Sequence, residues 1–342
     1  MVLNILGING GNGVILHPFQ KDKRFKILAN VEPRALFLTP HDIQWRRNFH
    51  CPMLRSLPAP LKNVDIIVGA PDCGHSSILS FSRKKSLGNP KENKSLTMFI
   101  EGVNAYRPKL FLMENLPALL KTYGKGDLEE AFKEYQLTFI QSSVANFGNS
   151  QKTRKRLLII GLRRGLPGIG IFKKPKLKEH KLKTCGKLLA KLPKDQANRE
   201  SLNHIIEDID TTITIYAGKK LQLSIIRKKW LKEFPQSTRW PVKNRKFTTA
   251  PGVYRNLKNQ LPVTARKQNR QFNHKGLTMS ARELARIQGV PDSFILHYES
   301  EKSQYWINKG RTTVTKTPPY EIGVWFKKKV LKLYANENNI NP

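Results

Sequence analysis

Short apolar segments alternate with polar stretches along the first part of the chain. Val2–Leu6, Phe25–Val31, Val64–Val68 and Lys109–Met113 are mostly apolar and rich in branched side chains, which is typical of buried strands. Between the last two, Leu96–Tyr106 carries apolar residues at helical spacing and predicts a helix that covers a sheet. The alternation of strands and helices favours an α/β fold.

Two further helices are predicted from their capping patterns. Asp127 followed by Glu130 predicts a capping box and a helix that continues through Tyr135. Ser280 followed by Glu283 is a second capping box, at the start of a short amphipathic segment.

The loop after the third predicted strand carries a cysteine. The strand ends at Gly69 and continues into a loop rich in Gly, Pro and Ser that contains Cys73. Loops at the carboxyl ends of strands form the ligand crevice of an α/β sheet, so this loop can hold an exposed thiol as a nucleophile. Considered alone, Cys73 also fits a small apolar filler, because free cysteine is among the most buried residue types.

A glycine-rich turn follows the first strand, and an acidic residue follows the second. Gly7, Gly10 and Gly11 allow the backbone of the turn to approach a ligand closely. Glu32 comes about 20 residues after the turn, a position from which a carboxylate accepts hydrogen bonds from ribose hydroxyls. Together they predict half of a nucleotide-type cofactor site.

The net charge indicates a polyanionic partner. The chain has 61 Lys and Arg against 25 Asp and Glu, a formal charge of +36 with a pI near 10.3. Such an excess is unusual for enzymes of small metabolites, and it neutralises nucleic-acid phosphates without any sequence preference. The alternative is a lysine-rich proteome in which many chains are basic.

Residues 166–275 interrupt the alternation of strands and helices. Nine lysines and a single acid, Glu179, lie between Lys173 and Lys194. Farther along, aromatic residues are interleaved with basic ones, which is suited to contacts with phosphates and bases or to a small core. We expect a separate nucleic-acid-binding unit here.

The cysteines and the apolar segments indicate the cellular compartment of the protein. Cys51, Cys73 and Cys185 show neither metal-ligand spacing nor a disulfide framework, so we expect reduced thiols and no metal. No apolar run approaches the roughly 18 residues of a membrane span, and the start of the chain lacks the features of a signal peptide. We therefore expect an intracellular, cytoplasmic protein without a membrane partner.

The sequence resembles the DNA cytosine-5 methyltransferases over nearly its whole length. The strand followed by Gly-x-Pro-x-Cys73 resembles the catalytic loop of that family, although Asp72 and Gly74 replace its usual proline and glutamine. Glu114-Asn-Leu and Arg154-x-Arg156 resemble two further family motifs, in the family's order. The remaining matches are the helix after Ser280, the segment after Gly310, and an amphipathic helix over Ile322–Tyr334.

The resemblance implies a fold and a cofactor. The fold is a Rossmann-like α/β sheet that binds S-adenosyl-L-methionine, with a smaller target-recognition domain inserted over residues 166–275. Residues 1–165 then form the catalytic domain, and residues 276–342 return to it. The residues that the resemblance assigns to the cofactor are Gly7, Asn9, Gly10, Gly11, Glu32, Asp42 and Pro71.

The resemblance also implies a mechanism. Cys73 adds to C6 of a cytosine that has been flipped out of double-stranded DNA, while Glu114 hydrogen-bonds N3 and the amino edge. Arg154 and Arg156 hold the base carbonyl and the backbone, and their charge lowers the thiol pKa. C5 then takes the methyl group. Asp72 opposes the arginines, because a neighbouring carboxylate raises a thiol pKa.

Two alternatives stay open from the sequence. One is a catalytically silent relative that binds DNA through its basic insert. The other is an RNA cytosine-5 methyltransferase. We expect a monomer in each case.

Overall fold

The computed structural model describes most of the predicted catalytic part and portions of the remainder. The described residues are 2–32, 45, 48–59, 61, 63–72, 93–192, 213–216, 219–222, 254–255, 257–262, 264, 271–272, 279–296 and 314–340. Asp42, Cys73, Gly74 and Gly310 lie outside them, as do most of the interleaved aromatic and basic residues of 166–275.

A mixed seven-stranded sheet organises the described residues, in the order β3-β2-β1-β4-β5-β7-β6. Its strands are β1 (Leu3–Ile8), β2 (Phe25–Val31), β3 (Met53–Leu54), β4 (Ile66–Gly69), β5 (Leu110–Asn115), β6 (Tyr135–Ser143) and β7 (Lys155–Arg163). Neighbours from β3 to β5 pair in parallel, whereas β7 is antiparallel to both β5 and β6. The four predicted strands are confirmed, with ends that shift by one or two residues.

The order of the strands reverses between β1 and β4. Chain order runs outward from β1 through β2 to β3, and β4 then lies on the other side of β1. In such sheets the carboxyl ends of the strands on either side of the reversal border a crevice. The glycine-rich turn after β1 and the segment after β4 both lie at this edge.

Helices cover the sheet, and short helical turns occur in the connections. They are α1 (His17–Gln20), α2 (Lys94–Tyr106), α3 (Leu119–Thr122), α4 (Lys125–Ala131), α5 (Cys185–Leu188), α6 (Ala281–Ile287) and α7 (Tyr320–Ile340), with 3-10 turns at Val144–Phe147, Ile169–Ile171 and Glu179–Lys181. None of the helices in the described part of the chain is long and apolar enough to cross a membrane.

The α2 helix buries the stripe that its sequence predicts. Of the predicted apolar positions, Phe99 and Val103 are almost fully buried, as is Leu96, whereas Met98 is partly buried. They belong to one apolar cluster with residues of β1, β2, β4 and β5. Burying a large apolar side chain contributes about 1.5–3 kcal/mol, so this stripe fixes α2 against the sheet.

The C-terminal helix packs against α1. Phe326 of α7 lies 6.3 Å from the ring of Phe19. A Cβ on Gly323 would approach the carbonyl oxygen of Ile15 to 2.3 Å, so glycine permits the close contact. Lys327 also pairs with Asp22 at 3.2 Å. The predicted helix over Ile322–Tyr334 is therefore confirmed and extends beyond both predicted ends.

The predicted helix from Asp127 through Tyr135 is wrong in its bounds. Asp127 is the third residue of α4 rather than its cap, and its carboxylate accepts a hydrogen bond from the Gly124 N–H at 3.0 Å. The helix ends at Ala131, and Tyr135 begins β6. Tyr135 is buried and donates to the carbonyl of Pro108, so tertiary packing overrides the local helical pattern.

The chain divides into two compact units. The first comprises residues 1–148, 154–178 and 317–342, and the second comprises residues 149–153 and 179–316. The first unit holds the seven-stranded sheet with α1 to α4 and α7. The second holds α5, α6, the antiparallel pair β8 (Ile213–Tyr216) and β9 (Lys219–Gln222), and the parallel pair β10 (Tyr254–Arg255) and β11 (Gln271–Phe272).

Inside the second unit, α6 is capped at both ends. Ser280 Oγ accepts from the Glu283 N–H, and Glu283 Oε2 accepts from the Ser280 N–H, which confirms the predicted capping box. At the other end, Gln151 Nε2 donates to the carbonyl of Ile287 and to Gln288 Oε1. Both glutamines are fully buried, so their amides satisfy polar groups that would otherwise lose water.

Candidate active site

A buried ion pair lies at the carboxyl end of β5. Glu114 is opposite Leu158 of β7, and Arg156 is two residues before Leu158, so both side chains lie on the same face of the sheet. Arg156 Nε is 2.6 Å from Glu114 Oε1, and the Glu114 side chain is only 8% exposed. Two adjacent strands thus bring the predicted carboxylate and one predicted arginine into direct contact.

Burial changes the acidity of Glu114. Loss of solvation raises the pKa of the Glu114 carboxyl above its ordinary value, and the charges of Arg156 and Arg154 only partly offset this. A carboxyl with a raised pKa keeps its proton to higher pH. In its protonated form this carboxyl can donate a hydrogen bond as well as accept one.

Arg154 lies just before β7 on the same face as Arg156. Its backbone carbonyl accepts from the Val144 N–H, which continues the pairing with the preceding strand. The side chain is 2% exposed, and Nη2 donates to the carbonyl oxygen of Thr317 at 2.9 Å. Arg154 therefore combines a charge near Glu114 with an anchor for the segment that leads into α7.

The backbone just before Cys73 is held by three side chains. Asn115 Nδ2 donates to the carbonyl oxygen of Pro71 at 3.1 Å. Ser95 Oγ accepts from the Asp72 N–H at 2.9 Å, and Asn93 Nδ2 donates to the Asp72 carbonyl oxygen at 2.9 Å. The end of β5 thus fixes the Pro71 carbonyl, and the start of α2 fixes both polar groups of the Asp72 backbone. Pro71 itself is buried next to Glu114's neighbour, Asn115.

The glycine-rich turn folds around a buried asparagine of β2. Asn30 Oδ1 accepts from the Gly10 N–H at 3.1 Å, and Asn30 Nδ2 donates to the carbonyl oxygen of Gly11 at 3.2 Å. A Cβ on Gly7 or Gly10 would lie 2.6 or 2.5 Å from Asn30 Oδ1. These two glycines are therefore required by the contact with Asn30. A Cβ on Gly11 would meet open space, but its φ of +57° favours glycine.

Glu32 closes the same turn. Its Oε2 accepts from the Gly11 N–H at 3.0 Å, and the residue is 6% exposed. The structure thus brings Gly7, Gly10, Gly11 and Glu32 together, as the sequence predicts. The carboxylate is part of the turn's hydrogen bonding.

Two asparagines of the turn carry buried polar atoms without a hydrogen-bond partner among the described residues. They are Asn9 Oδ1 and Asn12 Nδ2, and both residues are 4% exposed. Asn9 has φ of +55°, a conformation that asparagine tolerates better than most residues. One orphan atom is an acceptor and the other a donor, which matches the ammonium and carboxylate of an amino acid. The turn therefore fits the methionine end of S-adenosyl-L-methionine.

The other cysteines do not suit nucleophilic chemistry. Burial raises the pKa of the Cys51 thiol to about 11 and that of Cys185 to about 12. A thiol must lose its proton to attack, so both described cysteines are poor nucleophiles near neutral pH.

Several residues of this region were missed by the sequence analysis. Asn30 was detectable as an amide inside an apolar strand, and Asn93 as an N-cap whose Oδ1 accepts from the Ser95 and Leu96 N–H groups. Asn12 and Thr317 gave no local signal. Their role depends on partners far away in the sequence.

Comparisons with known proteins identify the family to which the chain belongs. A family model described as C-5 cytosine-specific DNA methylase matches residues 47–308, more than half of the chain. The Type II methyltransferase M1.HphI of Haemophilus parahaemolyticus is 26% identical over 249 residues, which cover 68% of this chain and 61% of that protein. M.Bpa9945I of Bacillus paralicheniformis, also a Type II methyltransferase, is 29% identical over 134 residues, 35% of this chain and 29% of that protein. The matched part thus spans less than two thirds of either relative.

Solved structures share the fold. A protein from E. coli described as a prophage-encoded DNA modification methyltransferase has a TM-score of 0.64 at 17% identity, with 97% of this chain and 99% of that chain covered. The Entamoeba histolytica methyltransferase EhMeth has a TM-score of 0.56 at 12% identity, with 98% and 99% covered. At this identity the likeness establishes the architecture alone. The family match over residues 47–308 goes further: the chain belongs to the C-5 cytosine-specific DNA methylase family.

Proposed function

We propose that the protein methylates C5 of cytosine in double-stranded DNA, with S-adenosyl-L-methionine as the methyl donor. The observation that carries the proposal is the hydrogen bond from Asn115 to Pro71. It joins the end of β5, where Glu114 and Arg156 form their buried pair, to the segment that continues directly into Cys73. The carboxyl of Glu114 and the guanidinium of Arg156 thus lie at the edge of the sheet from which the chain continues toward Cys73.

Cys73 is the nucleophile of this mechanism. Its thiolate adds to C6 of the cytosine, which makes C5 nucleophilic enough to take a methyl group. The bound cofactor supplies an electrophilic methyl on a sulfonium. Loss of the C5 proton to a base then restores the C5–C6 double bond and releases the thiolate, so the cysteine is regenerated.

Glu114 activates the ring. A protonated Glu114 donates to N3 and draws electron density from C6, where the sulfur adds. Its raised pKa supports this role, because burial makes the Glu114 carboxyl easier to protonate. Arg156 contacts Glu114, and we assign it to the base carbonyl. Arg154 contributes its charge and anchors the segment at Thr317.

The cofactor site comprises the turn after β1, the end of β2 and the start of the catalytic loop. Glu32 is suited to the ribose hydroxyls, and the turn from Gly7 to Gly11 with Asn9 to the methionine end. Asp42 and Pro71 complete the proposed set, Asp42 against the adenine. The unpartnered atoms of Asn9 and Asn12 support this fit.

The second unit is the proposed DNA-reading part. It contains the predicted target-recognition region from residue 179 onward, and the chain carries a net charge of +36. The target base must leave the duplex, because its C6 is inaccessible while the base is stacked. The names of the two Type II relatives support a role in DNA modification of the kind paired with restriction.

Substitution of the nucleophile tests the mechanism. In Cys73→Ala we expect methyl transfer from labelled S-adenosyl-L-methionine to DNA to fall by at least about a thousandfold, with DNA binding nearly unchanged. Cys185→Ala is the matched control and should retain wild-type transfer, because Cys185 is a buried thiol of the second unit. Full activity of Cys73→Ala would reject the covalent mechanism.

A suicide substrate separates catalysis from binding. Duplex DNA that contains 5-fluorocytosine should form a covalent adduct that survives denaturing electrophoresis only when both cofactor and Cys73 are present. A protein that binds this DNA without an adduct would be a silent relative. Transfer to tRNA in place of duplex DNA would identify an RNA methyltransferase.

A further inference from the structure

The segment that leads into α7 reaches the glycine-rich turn through one side chain. Thr317 Oγ1 donates to Asn12 Oδ1 at 3.1 Å, although the two residues are 305 positions apart. Both are 4% exposed. The contact therefore lies in the interior of the first unit.

Two donors fix which way the Asn12 amide points. Besides Thr317, the Val14 N–H donates to the same Asn12 oxygen at 3.4 Å. If the amide rotated by half a turn, its NH₂ group would face the Val14 N–H, which cannot accept a hydrogen bond. The orientation is therefore locked, and Nδ2 lies on the opposite side as a buried donor without a described partner.

Arg154 holds Thr317 in place. Its Nη2 donates to the Thr317 carbonyl oxygen at 2.9 Å, and Arg154 is 2% exposed. Two hydrogen bonds thus link the face of the sheet that holds Glu114 to the turn after β1. They run from Arg154 to Thr317 and from Thr317 to Asn12. A rigid support of this kind keeps a binding group in one geometry.

We propose that Thr317 is a positioning residue for the cofactor, and that it orients Asn12 so that Nδ2 donates to the carboxylate of S-adenosyl-L-methionine. A buried amide donor requires an acceptor, and the methionine end of this cofactor supplies a carboxylate. The inference rests on the proposed function, because it takes S-adenosyl-L-methionine as the ligand.

Two ligands separate positioning from general damage to the fold. S-adenosylhomocysteine carries the amino-acid carboxylate, whereas 5′-methylthioadenosine lacks it. By calorimetry on the full chain, Thr317→Val should lower the affinity for S-adenosylhomocysteine about tenfold, which is the effect of one buried hydrogen bond. Its affinity for methylthioadenosine should stay within about twofold of wild type. Thr317→Ser keeps the hydroxyl and should restore binding. In kinetics, Thr317→Val should raise KM for the cofactor while kcat changes little.

A threonine elsewhere in the first unit provides the control. Thr138→Val makes the same chemical change on β6 and should bind both ligands as wild type does. If Thr317→Val does not fold, Asn12→Asp replaces the donor by a carboxylate and should selectively abolish the preference for S-adenosylhomocysteine. Equal weakening of both ligands, or of neither, would overturn the inference. Failure of the wild-type protein to bind either ligand would instead reject the proposed function.

Discussion

Single buried side chains determine the geometry of the proposed cofactor turn. Asn30 binds the backbone of the turn with both ends of its amide, and Glu32 accepts from Gly11. Any Cβ at Gly7 would collide with Asn30. Because β2 and the residue directly after it supply both polar side chains, the turn after β1 cannot take this form unless β1 and β2 are already paired.

Titration of Glu114 should make the kcat of methyl transfer decrease at high pH. Because the folded-state pKa of Glu114 is raised, its proton persists to higher pH, and kcat should fall as pH rises through that raised value. Glu114→Gln should lower kcat by about a hundredfold and remove this decrease of kcat at high pH. A pH–rate profile under single-turnover conditions measures both effects.

An exposed acid provides the comparison for Glu114. Glu130→Gln, on the solvent side of α4, should retain the wild-type rate and pH profile. If kcat of Glu114→Gln still decreased at high pH, a group other than Glu114 would have to be the titrating acid.

At the level of elements, the N-terminus of α2 and the end of β5 hold the backbone of Pro71 and Asp72, just before the proposed catalytic loop. Asn93 caps α2 through Oδ1 and holds the Asp72 carbonyl through Nδ2. Ser95, the second residue of the helix, accepts from the Asp72 N–H. The helix that covers the sheet therefore also sets the backbone at which the catalytic loop begins.

Asn93→Asp separates the two tasks of this residue. A carboxylate still caps the helix, so the free energy of unfolding should stay within about 0.5 kcal/mol of wild type, but it cannot donate to the Asp72 carbonyl. We expect the rate of adduct formation with 5-fluorocytosine DNA to fall about tenfold. Asn93→Ala should in addition lose about 1 kcal/mol of stability in urea unfolding.

Two results would contradict these roles of Asn93. An Asn93→Asp protein with unchanged adduct rate would show that the Asp72 anchor does not position Cys73. Loss of stability equal to that of Asn93→Ala would show that the carboxylate does not replace the cap.

For the whole molecule, charge is the dominant property. An excess of 36 positive charges favours contact with a polyanion over long distances, and it does so without reading any sequence. The family match extends over residues 47–308 and so includes much of the second unit as well as the first. Affinity for DNA should therefore depend on salt much more than catalysis does.

Salt titration measures this contribution. If six or more phosphates are neutralised, DNA affinity should fall by roughly a thousandfold between 50 and 200 mM salt. Fluorescence anisotropy with a short labelled duplex gives the slope, and Cys73→Ala should show the same slope as wild type. A nearly flat dependence would mean that the excess charge serves another purpose.

The sequence by itself determined the features that depend on neighbouring residues. Apolar runs predicted the strands β1, β2, β4 and β5, the spacing of apolar residues predicted α2, and the Ser280–Glu283 pair predicted the cap of α6. Glu114 and Arg156 were predicted from their resemblance to family motifs at the end of one strand and the start of another. Asp127 misled the prediction, since a capping pattern is local whereas the end of α4 is set by the burial of Tyr135.

Only the tertiary structure decided which polar groups act together. Asn30 contacts a turn 19 to 20 residues earlier, Arg154 contacts Thr317 across 163 positions, and Thr317 contacts Asn12 across 305. A hydrogen bond requires its two atoms to come within about 3 Å, and no periodicity in a sequence encodes that distance between remote segments. Strand pairing and the return of the chain into α7 bring these atoms together.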